Sequence, residues 1–276
     1  MTRCSILFLL VCLSACTSTR LSGSNLDRVA RPAFVSRIEV EAGPKSLVFR
    51  EDNTYSEKLK KLEPKEADRR LQAKLAAAVT RFEISERLRV NTLHQLPRER
   101  PWTSVLDPAR VATALESFLV EEVPANAPDY DLLVPLGADA IVEFVVQDYG
   151  MHSEKGRAGA YIKGYGRMFW LDGRNEVWRR PFDADQLQMD AEHLDPFKVG
   201  KNPELFQRAI TSLVDAISAQ FTKDLTPKDR RGGATLPEAA EQSAPDSTHR
   251  TGRENQRPPA PPAPELAPGE LPDPDP

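Results

Sequence analysis

Residues 138–146, which read Ala-Asp-Ala-Ile-Val-Glu-Phe-Val-Val, are the stretch that decides the fold of this chain. The run is rich in β-branched residues, and its apolar side chains fall on both faces of an extended backbone. A strand that is apolar on both faces is typical of the interior of a sheet, where layers cover it from either side. The stretch therefore predicts a central strand.

Two further β-rich runs follow, at residues 158–171 and 176–180. The four residues between them, 172–175, read Asp-Gly-Arg-Asn. An Asp-Gly pair between two β-rich runs is a strong hairpin signal, so these runs predict a second and a third strand. Gly164 and Gly166 lie inside the second run, and they indicate either a bend or close packing of a helix against the strand.

The remainder of the domain alternates between extended and helical patterns. Apolar residues recur every three or four positions in the helical segments, and in the first of these the apolar stripe includes Phe82. Prolines and cap residues mark the helix starts. The predicted elements are a strand at 34–40, a helix at 64–86, a short strand at 88–91, a helix from Asp107-Pro108 to Pro124, a helical turn at 131–136 and a last helix opened by Asn202-Pro203.

These elements predict an α/β fold. We expect a mixed sheet of about four to five strands with three helices packed on it, in a two-layer sandwich. The last helix has the most complete apolar stripe, so it should lie on the sheet and cover much of the core. The folded domain is expected to span residues 34–225.

The first fifteen residues are typical of an export signal. Arg3 supplies a positive charge, residues 5–13 are apolar, and the small residues Ser14 and Ala15 follow. This order of charged, apolar and small residues defines a signal peptide, here residues 1–15. The apolar run is too short to serve as a stable membrane-spanning anchor.

The sequence Leu13-Ser14-Ala15-Cys16 resembles the bacterial lipobox. The resemblance implies cleavage before Cys16 and attachment of acyl chains such as palmitate through its sulfur, which tethers the protein to a bilayer. Cys4 and Cys12 would leave with the leader, so the mature chain has no thiol pair for a disulfide. Thr17 is not the aspartate that marks inner-membrane retention, which favours the periplasmic side of the outer membrane.

Both ends of the mature chain are polar. Residues 16–33 are expected to form the lipidated cysteine and a flexible tether, with a partly ordered arm as the alternative. Residues 226–276 contain few large apolar side chains and a proline-rich run, so burial cannot offset their ordering entropy. We expect a disordered, Pro-rich tail, either simply solvated or serving as a ligand for a partner.

The order of lipobox, tether and α/β elements resembles the small periplasmic domains of outer-membrane lipoproteins. The local match is Leu-Gly-Ala-Asp-Ala-Ile-Val at residues 136–142, where a helix end runs into a strand. Similar entries occur in the lipoprotein activators of penicillin-binding proteins, the curli secretion lipoprotein and the amino-terminal domain of TolB. The chain departs from them at Glu143, where those families often carry glycine, and in having its tail after the domain.

The sequence contains no motif typical of catalysis. It lacks a Gly-x-Ser-x-Gly elbow and a phosphate-binding loop, and no histidine stands at metal-ligand spacing from another His or Cys. The four histidines are His94, His152, His193 and His249. We therefore expect no catalytic residue, no cofactor and no metal.

One acidic loop, residues 183–195, is the alternative to that expectation. Paired carboxylates can hydrolyse glycosidic bonds, so a glycan-acting envelope enzyme would use this loop. A weak calcium site there would lack the spacing of known calcium loops. Its acidic residues are Asp183, Asp185, Asp190, Glu192 and Asp195.

Aromatic residues on the second strand are candidates for a binding surface. Period-two alternation divides the large side chains into two sets, of which one belongs to the core and the other faces a partner or a sugar. The sets are Tyr161, Tyr165 and Phe169 on one side, and Ile162, Met168 and Trp170 on the other. Arg179 and Arg180, beside Trp178, are a further candidate for a partner surface.

The leading functional hypothesis is a non-catalytic, lipid-anchored protein that binds a protein partner in the cell envelope. The formal net charge of −4 disfavours nucleic acid as a partner. The glycan-acting enzyme and an oligomeric accessory of secretion or transport are the alternatives. The identity of the partner and the oligomeric state are not encoded in any motif of the sequence.

Overall fold

A five-stranded mixed sheet organises the computed structural model, which describes residues 21–97, 102, 104–115, 126–189 and 192–226. The strands are β1 (Pro32–Ile38), β2 (Lys45–Ser46), β3 (Ala140–Glu154), β4 (Arg157–Trp170) and β5 (Glu176–Asp185). Their order is β1-β3-β4-β5, and the short β2 pairs with the far part of β3. β1 and β2 run parallel to β3, whereas β3, β4 and β5 form an antiparallel meander.

Helices cover this sheet unequally on its two faces. The described helices are α1 (Gly23–Arg28), α2 (Val48–Glu51), α3 (Asn53–Ser56), α4 (Pro64–Ala78), α5 (Arg81–Gln95), α6 (Pro108–Leu115), α7 (Pro196–Lys201) and α8 (Glu204–Leu225), with 3₁₀ helices at Glu57–Leu59, Tyr130–Leu136 and Gln186–Gln188. α4, α5 and α8 pack with the main apolar core on one face, which we call the inner face. The predicted α/β fold, with three helices on a mixed sheet, is confirmed.

The opposite face, which we call the outer face, is covered by described helices at one end alone. There α6 and the 3₁₀ helix Tyr130–Leu136 enclose a second, smaller apolar cluster with the first residues of β1 and β3. Farther along the strands, polar and aromatic side chains occupy the outer face. This uneven covering sets the position of the candidate site.

β3 is the central strand that its composition predicts. It lies between β1 and β4, and every side chain from Ala140 to Val146 is buried. The strand continues to Glu154, beyond the predicted end, and a two-residue turn then leads into β4. Lys155 and Gly156 form this turn with φ values of 52° and 75°, the left-handed conformations that a tight hairpin of this twist requires.

Close packing of a helix against β4 explains why position 166 is a glycine. A Cβ atom at Gly166 would lie 2.7 Å from the Trp178 ring and 3.0 Å from the ring of Phe221 on α8. The second of the two explanations considered for this residue, close approach of a helix, is the one that the structure shows.

The helical segment around residue 80 differs from the prediction. One helix at 64–86 and a strand at 88–91 were expected, but α4 ends at Ala78 and α5 runs on to Gln95. Thr80 begins α5 with a capping box: its hydroxyl accepts from the Glu83 N–H at 3.1 Å, and the Glu83 carboxylate accepts from the Thr80 N–H at 2.7 Å. Phe82, expected on the buried stripe, is consequently 42% exposed.

Replacing the cap residue should weaken the domain measurably. We expect Thr80→Ala to lower the free energy of unfolding by about 1 kcal/mol, because the backbone N–H of Glu83 loses the hydroxyl that accepts its hydrogen bond. Thr113→Ala is the matched control, since Thr113 is exposed in the middle of α6 and caps nothing. Equal urea midpoints for the two variants would contradict the role given to the capping box.

The folded domain begins earlier than residue 34. Residues 22–33, expected to be part of a flexible tether, form α1 and the start of β1, and Leu26 is fully buried. The helix opened at Asp107-Pro108, the turn at 131–136 and the last helix are present as α6, the second 3₁₀ helix and α8. The signal peptide 1–15, Cys16, the end of the helix predicted to reach Pro124, and the tail from residue 227 lie outside the described residues.

Candidate functional site

The register of β3, β4 and β5 brings three charged residues into one row on the outer face. Glu143 pairs with Arg167 across the first strand boundary, and Arg167 pairs with Arg179 across the second. In the next row, Val145 of β3 pairs with Tyr165 of β4. Residues directly opposite one another point to the same side of a sheet, so these side chains form a contiguous patch.

Glu143 lies at the bottom of this patch, with its side chain fully buried. Its Oε1 accepts from the Arg37 Nε at 2.8 Å and from the Tyr130 hydroxyl at 2.5 Å. Its Oε2 accepts from the Nε of Arg167. A buried carboxylate is tolerated only when it is paired and hydrogen-bonded, and three donors meet that requirement here.

The surroundings of the Glu143 carboxyl and the Tyr130 phenol hold each group in a single protonation state. Burial alone would raise the pKa of Glu143, but the hydrogen bonds from Tyr130 and Arg167 and the charges of the two arginines outweigh it, so the pKa lies below its usual value. Burial, together with the negative charge of Glu143, raises the pKa of the Tyr130 phenol. At neutral pH the carboxylate is therefore ionised and the phenol protonated, and neither is poised to exchange a proton.

Two more side chains continue the patch toward β5. The guanidinium of Arg179 lies 4.4 Å from the centroid of the Tyr165 ring, which is a cation–π contact. Arg179 also donates to both carboxylate oxygens of Glu176, at 2.8 and 2.6 Å. Arg37 donates to the Tyr165 hydroxyl at 3.3 Å, so charge pairs and stacking fix every member of the patch.

Arg167 combines a fixed orientation with donors that remain available. Its Nε is bound to Glu143, and this is the one hydrogen bond that it makes to the described part of the chain. The side chain is 24% exposed, and its guanidinium lies 5.0 Å from the Phe169 ring centroid. The terminal N–H groups of an arginine held in this way can bind a carboxylate from outside the domain.

We name the set Arg37, Tyr130, Glu143, Tyr165, Arg167 and Arg179 the arginine patch. Two of its arginines share one buried carboxylate, and the third is balanced by Glu176. Chemically the patch offers anion binding and aromatic stacking, without a nucleophile or a group that exchanges protons.

The structure bears out only part of the predicted aromatic surface. Tyr161, Tyr165 and Phe169 do share the outer face, but Tyr161 and Phe169 are 4% and 5% exposed and are packing residues. Tyr165 alone of the three is half-buried. On the other side of the strand, Ile162 and Met168 belong to the main core, and Trp170 packs against it.

The adjacent Arg179 and Arg180 do not form one surface. Arg179 belongs to the arginine patch, whereas Arg180 pairs with Asp224 of α8 at 3.3 Å and thus lies on the inner face. Alternation along β5 separates them.

The acidic residues of the predicted loop 183–195 do not share one loop, because Asp183 and Asp185 belong to β5. Asp183 pairs with Lys163 at 3.1 Å, Asp185 caps the 3₁₀ helix Gln186–Gln188, and Asp195 caps α7. Glu192 is exposed, and Asp190 lies outside the described residues. Within the described ranges no three His, Cys, Asp or Glu side chains are grouped so that they could hold a metal ion.

One histidine contact in this region was not predicted. His152 Nε2 lies 2.9 Å from the Asp185 carboxylate, and the His152 ring packs edge-on against Tyr161 at a centroid distance of 5.3 Å. Asp185 is its sole hydrogen-bond partner among the described residues, so the described chain supplies this pair with no nucleophile. Of the other histidines, His94 ends α5, His193 lies in the acidic loop, and His249 is outside the described residues.

The arginine patch itself was missed at the level of sequence. Three of its members were visible separately: Tyr165 and Arg179 as candidates for a partner surface, and Glu143 as a charged residue inside an otherwise apolar strand. Cys16, the one site residue that the sequence does predict, lies outside the described residues. None of the described helices is both long and apolar enough to cross a bilayer.

These observations define an α/β domain that has a helical inner face and a polar, arginine-rich outer face. No protein-family model and no curated protein matches the chain. Among solved structures, the chain resembles the hypothetical protein CT253 from Chlamydia trachomatis, with a TM-score of 0.32, 12% identity, and coverage of 70% of this chain and 98% of that one. It also resembles the lipoprotein GNA1162 from Neisseria meningitidis, with a TM-score of 0.30, 14% identity, and coverage of 68% and 98%.

Both likenesses are distant, and nothing about the chemistry of this chain follows from them. One of the two is a bacterial lipoprotein. The resemblance to the TolB domain, the curli secretion lipoprotein and the activators of penicillin-binding proteins stays a prediction.

Proposed function

We propose that this chain is a non-catalytic lipoprotein, anchored through acylated Cys16 on the periplasmic side of the outer membrane, whose arginine patch binds an acidic segment of a protein partner in the cell envelope. The observation that supports the partner role is Arg167. This arginine is oriented by a buried carboxylate and still presents terminal N–H donors at the surface.

The composition of the patch favours a protein over a small molecule. Arginine and tyrosine are enriched among the residues that dominate binding energy at protein interfaces. Because ion pairs and stacking already order these side chains, binding loses less conformational entropy than it would with free arginines. The terminal N–H donors of Arg167 favour a partner that presents an aspartate or glutamate.

The membrane anchor supplies the second half of the function. A lipid-tethered domain meets membrane-associated partners at a raised effective concentration, so a modest interface suffices. The same reasoning accounts for a small patch in place of a deep cleft.

Site-specific photocrosslinking in cells tests this function. A photoreactive phenylalanine at position 163, half-exposed beside Tyr165 on the outer face, should capture a defined envelope protein. Arg167→Ala in the same protein should reduce that product by about tenfold, since removing a central interface arginine costs roughly 1.4 kcal/mol or more. Western blotting and mass spectrometry measure the product.

Three controls make the result specific. Arg208→Ala changes an exposed arginine of α8, far from the outer face, and should leave the product unchanged. A photoreactive residue at position 208 should not capture the same protein. Cys16→Ser should lose both acylation, measured by intact mass, and most of the product. An Arg167→Ala variant that crosslinks as well as the wild type would refute the partner role.

A further inference from the structure

One end of the sheet lies beside the first residues that the structure describes. The starts of β1 and β3 and the end of β4 meet there, because Ala140 pairs with both Pro32 and Trp170. α1 is held at the same end, where the guanidinium of Arg28 lies 5.1 Å from the centroid of the Trp170 ring. The 3₁₀ helix Tyr130–Leu136 completes this surface, which we call the anchor end.

The anchor end exposes two large apolar side chains close together. The structure describes five large apolar residues that are exposed: Val40, Phe82, Leu132, Val134 and Met189. Two of them, Leu132 and Val134, lie on the same 3₁₀ helix, at 47% and 52% exposure, on either side of the fully buried Leu133. Val134 also lines a shallow depression together with Arg28 and Trp170.

The chain that precedes the domain limits how far this end can lie from Cys16. Leu21 already packs against the core, and Ser22 caps α1. Four residues separate Cys16 from Leu21, so even a fully extended link of five Cα–Cα steps reaches only about 18 Å. β3 alone, with 15 residues, is roughly 50 Å long, so the link is much shorter than the domain.

The side chains at this end suit a membrane surface. Tryptophan and arginine are residues that proteins place at the level of lipid headgroups. Trp170 and Arg28 supply them, and Arg174, paired with Asp131 at 2.6 Å, stands on the adjoining turn. Exposed leucine and valine beside such residues gain free energy by entering the boundary between headgroups and acyl chains.

We infer that the anchor end rests on the leaflet that holds the acyl chains of Cys16, with Leu132 and Val134 inserted at the boundary between headgroups and acyl chains. The occupant of this apolar surface is therefore a phospholipid bilayer. The inference rests on the proposed function, since it requires the lipid at Cys16. It goes beyond that function by fixing which end of the domain touches the membrane.

Depth-dependent quenching tests this orientation in the full-length, lipidated protein. A bimane fluorophore is attached through a cysteine at position 134, and in a matched sample at position 40. Val40 is 70% exposed and lies beyond the last residue of β1, whose seven residues carry the chain roughly 23 Å along the sheet away from the anchor end. Each protein is reconstituted into vesicles of three parts phosphatidylethanolamine to one part phosphatidylglycerol, with and without a nitroxide-labelled lipid.

The nitroxide lipid should quench about half of the fluorescence at position 134 and leave position 40 unchanged, and the emission at 134 should shift to the blue on reconstitution. Flotation of each sample is measured at the same time. Protein that floats with the vesicles but shows equal quenching at the two positions, or none at 134, overturns this orientation and leaves the anchor intact. Protein that fails to float overturns the anchor and this inference together.

Discussion

Glu143→Gln should cost the domain about 3 kcal/mol of unfolding free energy, although the substitution leaves the volume of the side chain almost unchanged. The carboxylate is fully buried and neutralises Arg37 and Arg167, whose side chains are only 11% and 24% exposed. The amide brings no charge, so the two guanidiniums lose the buried carboxylate that they share. For a domain of this size the melting temperature should fall by roughly 6–12 °C, measured by calorimetry.

The pH dependence of this loss identifies the charge as its cause. The pKa of Glu143 is lowered in the folded state, so its contribution is present above the unfolded value of about 4.3 and is lost as the pH falls through the folded pKa. The stability gap between wild type and Glu143→Gln should therefore be full at pH 7 and close in acid. Glu41→Gln, which changes an exposed acid in the turn after β1, is the control and should change neither quantity. A gap that is constant from neutral to acid pH would contradict the assignment.

Phe221→Ala is the second substitution with a large expected effect. Phe221 is fully buried on α8, stacked on Phe144 at a centroid distance of 4.9 Å and edge-on to Trp178 and Phe182 at 5.6 and 5.7 Å. Its removal leaves a cavity where the last helix meets the centre of the sheet. We expect a loss of about 3–5 kcal/mol in chemical denaturation.

Phe82→Ala provides the matched comparison, because it removes the same atoms from a site that is 42% exposed. That variant should stay within about 0.5 kcal/mol of the wild type. Equal losses for the two variants would mean that α8 is not the helix that closes the core.

The fold was largely predictable because its strongest elements have clear periodicity. β3 is apolar on both faces, and α8 presents one apolar stripe, so both could be recognised from spacing alone. The boundary between α4 and α5 was missed because the apolar spacing continues through it without interruption. Its signal, Thr80 followed three residues later by Glu83, is a local hydrogen-bonding motif and leaves no trace in the hydrophobic period.

The sequence could not show that the residues of the arginine patch lie together, and the reason is physical. Arg37 and Glu143 are 106 residues apart and meet because β1 pairs in parallel with β3. Parallel pairing needs a long crossover, and neither the partner strand nor its register is encoded locally. In contrast, the separation of Arg179 from Arg180 follows from strand alternation and could have been recognised in the sequence.

The position of Arg167 along β4 has a consequence for the geometry of recognition. It stands three residues before Trp170, the last residue of the strand and part of the anchor end. Three residues of a β-strand span about 10 Å, so in the inferred orientation Arg167 lies about 10 Å farther from the lipid than Trp170 does. In that orientation β4 fixes the distance between Arg167 and the membrane. The arginine would then bind an acidic segment that a neighbouring membrane-associated protein holds at the same height, and this fixed height would give a freely diffusing periplasmic peptide no advantage.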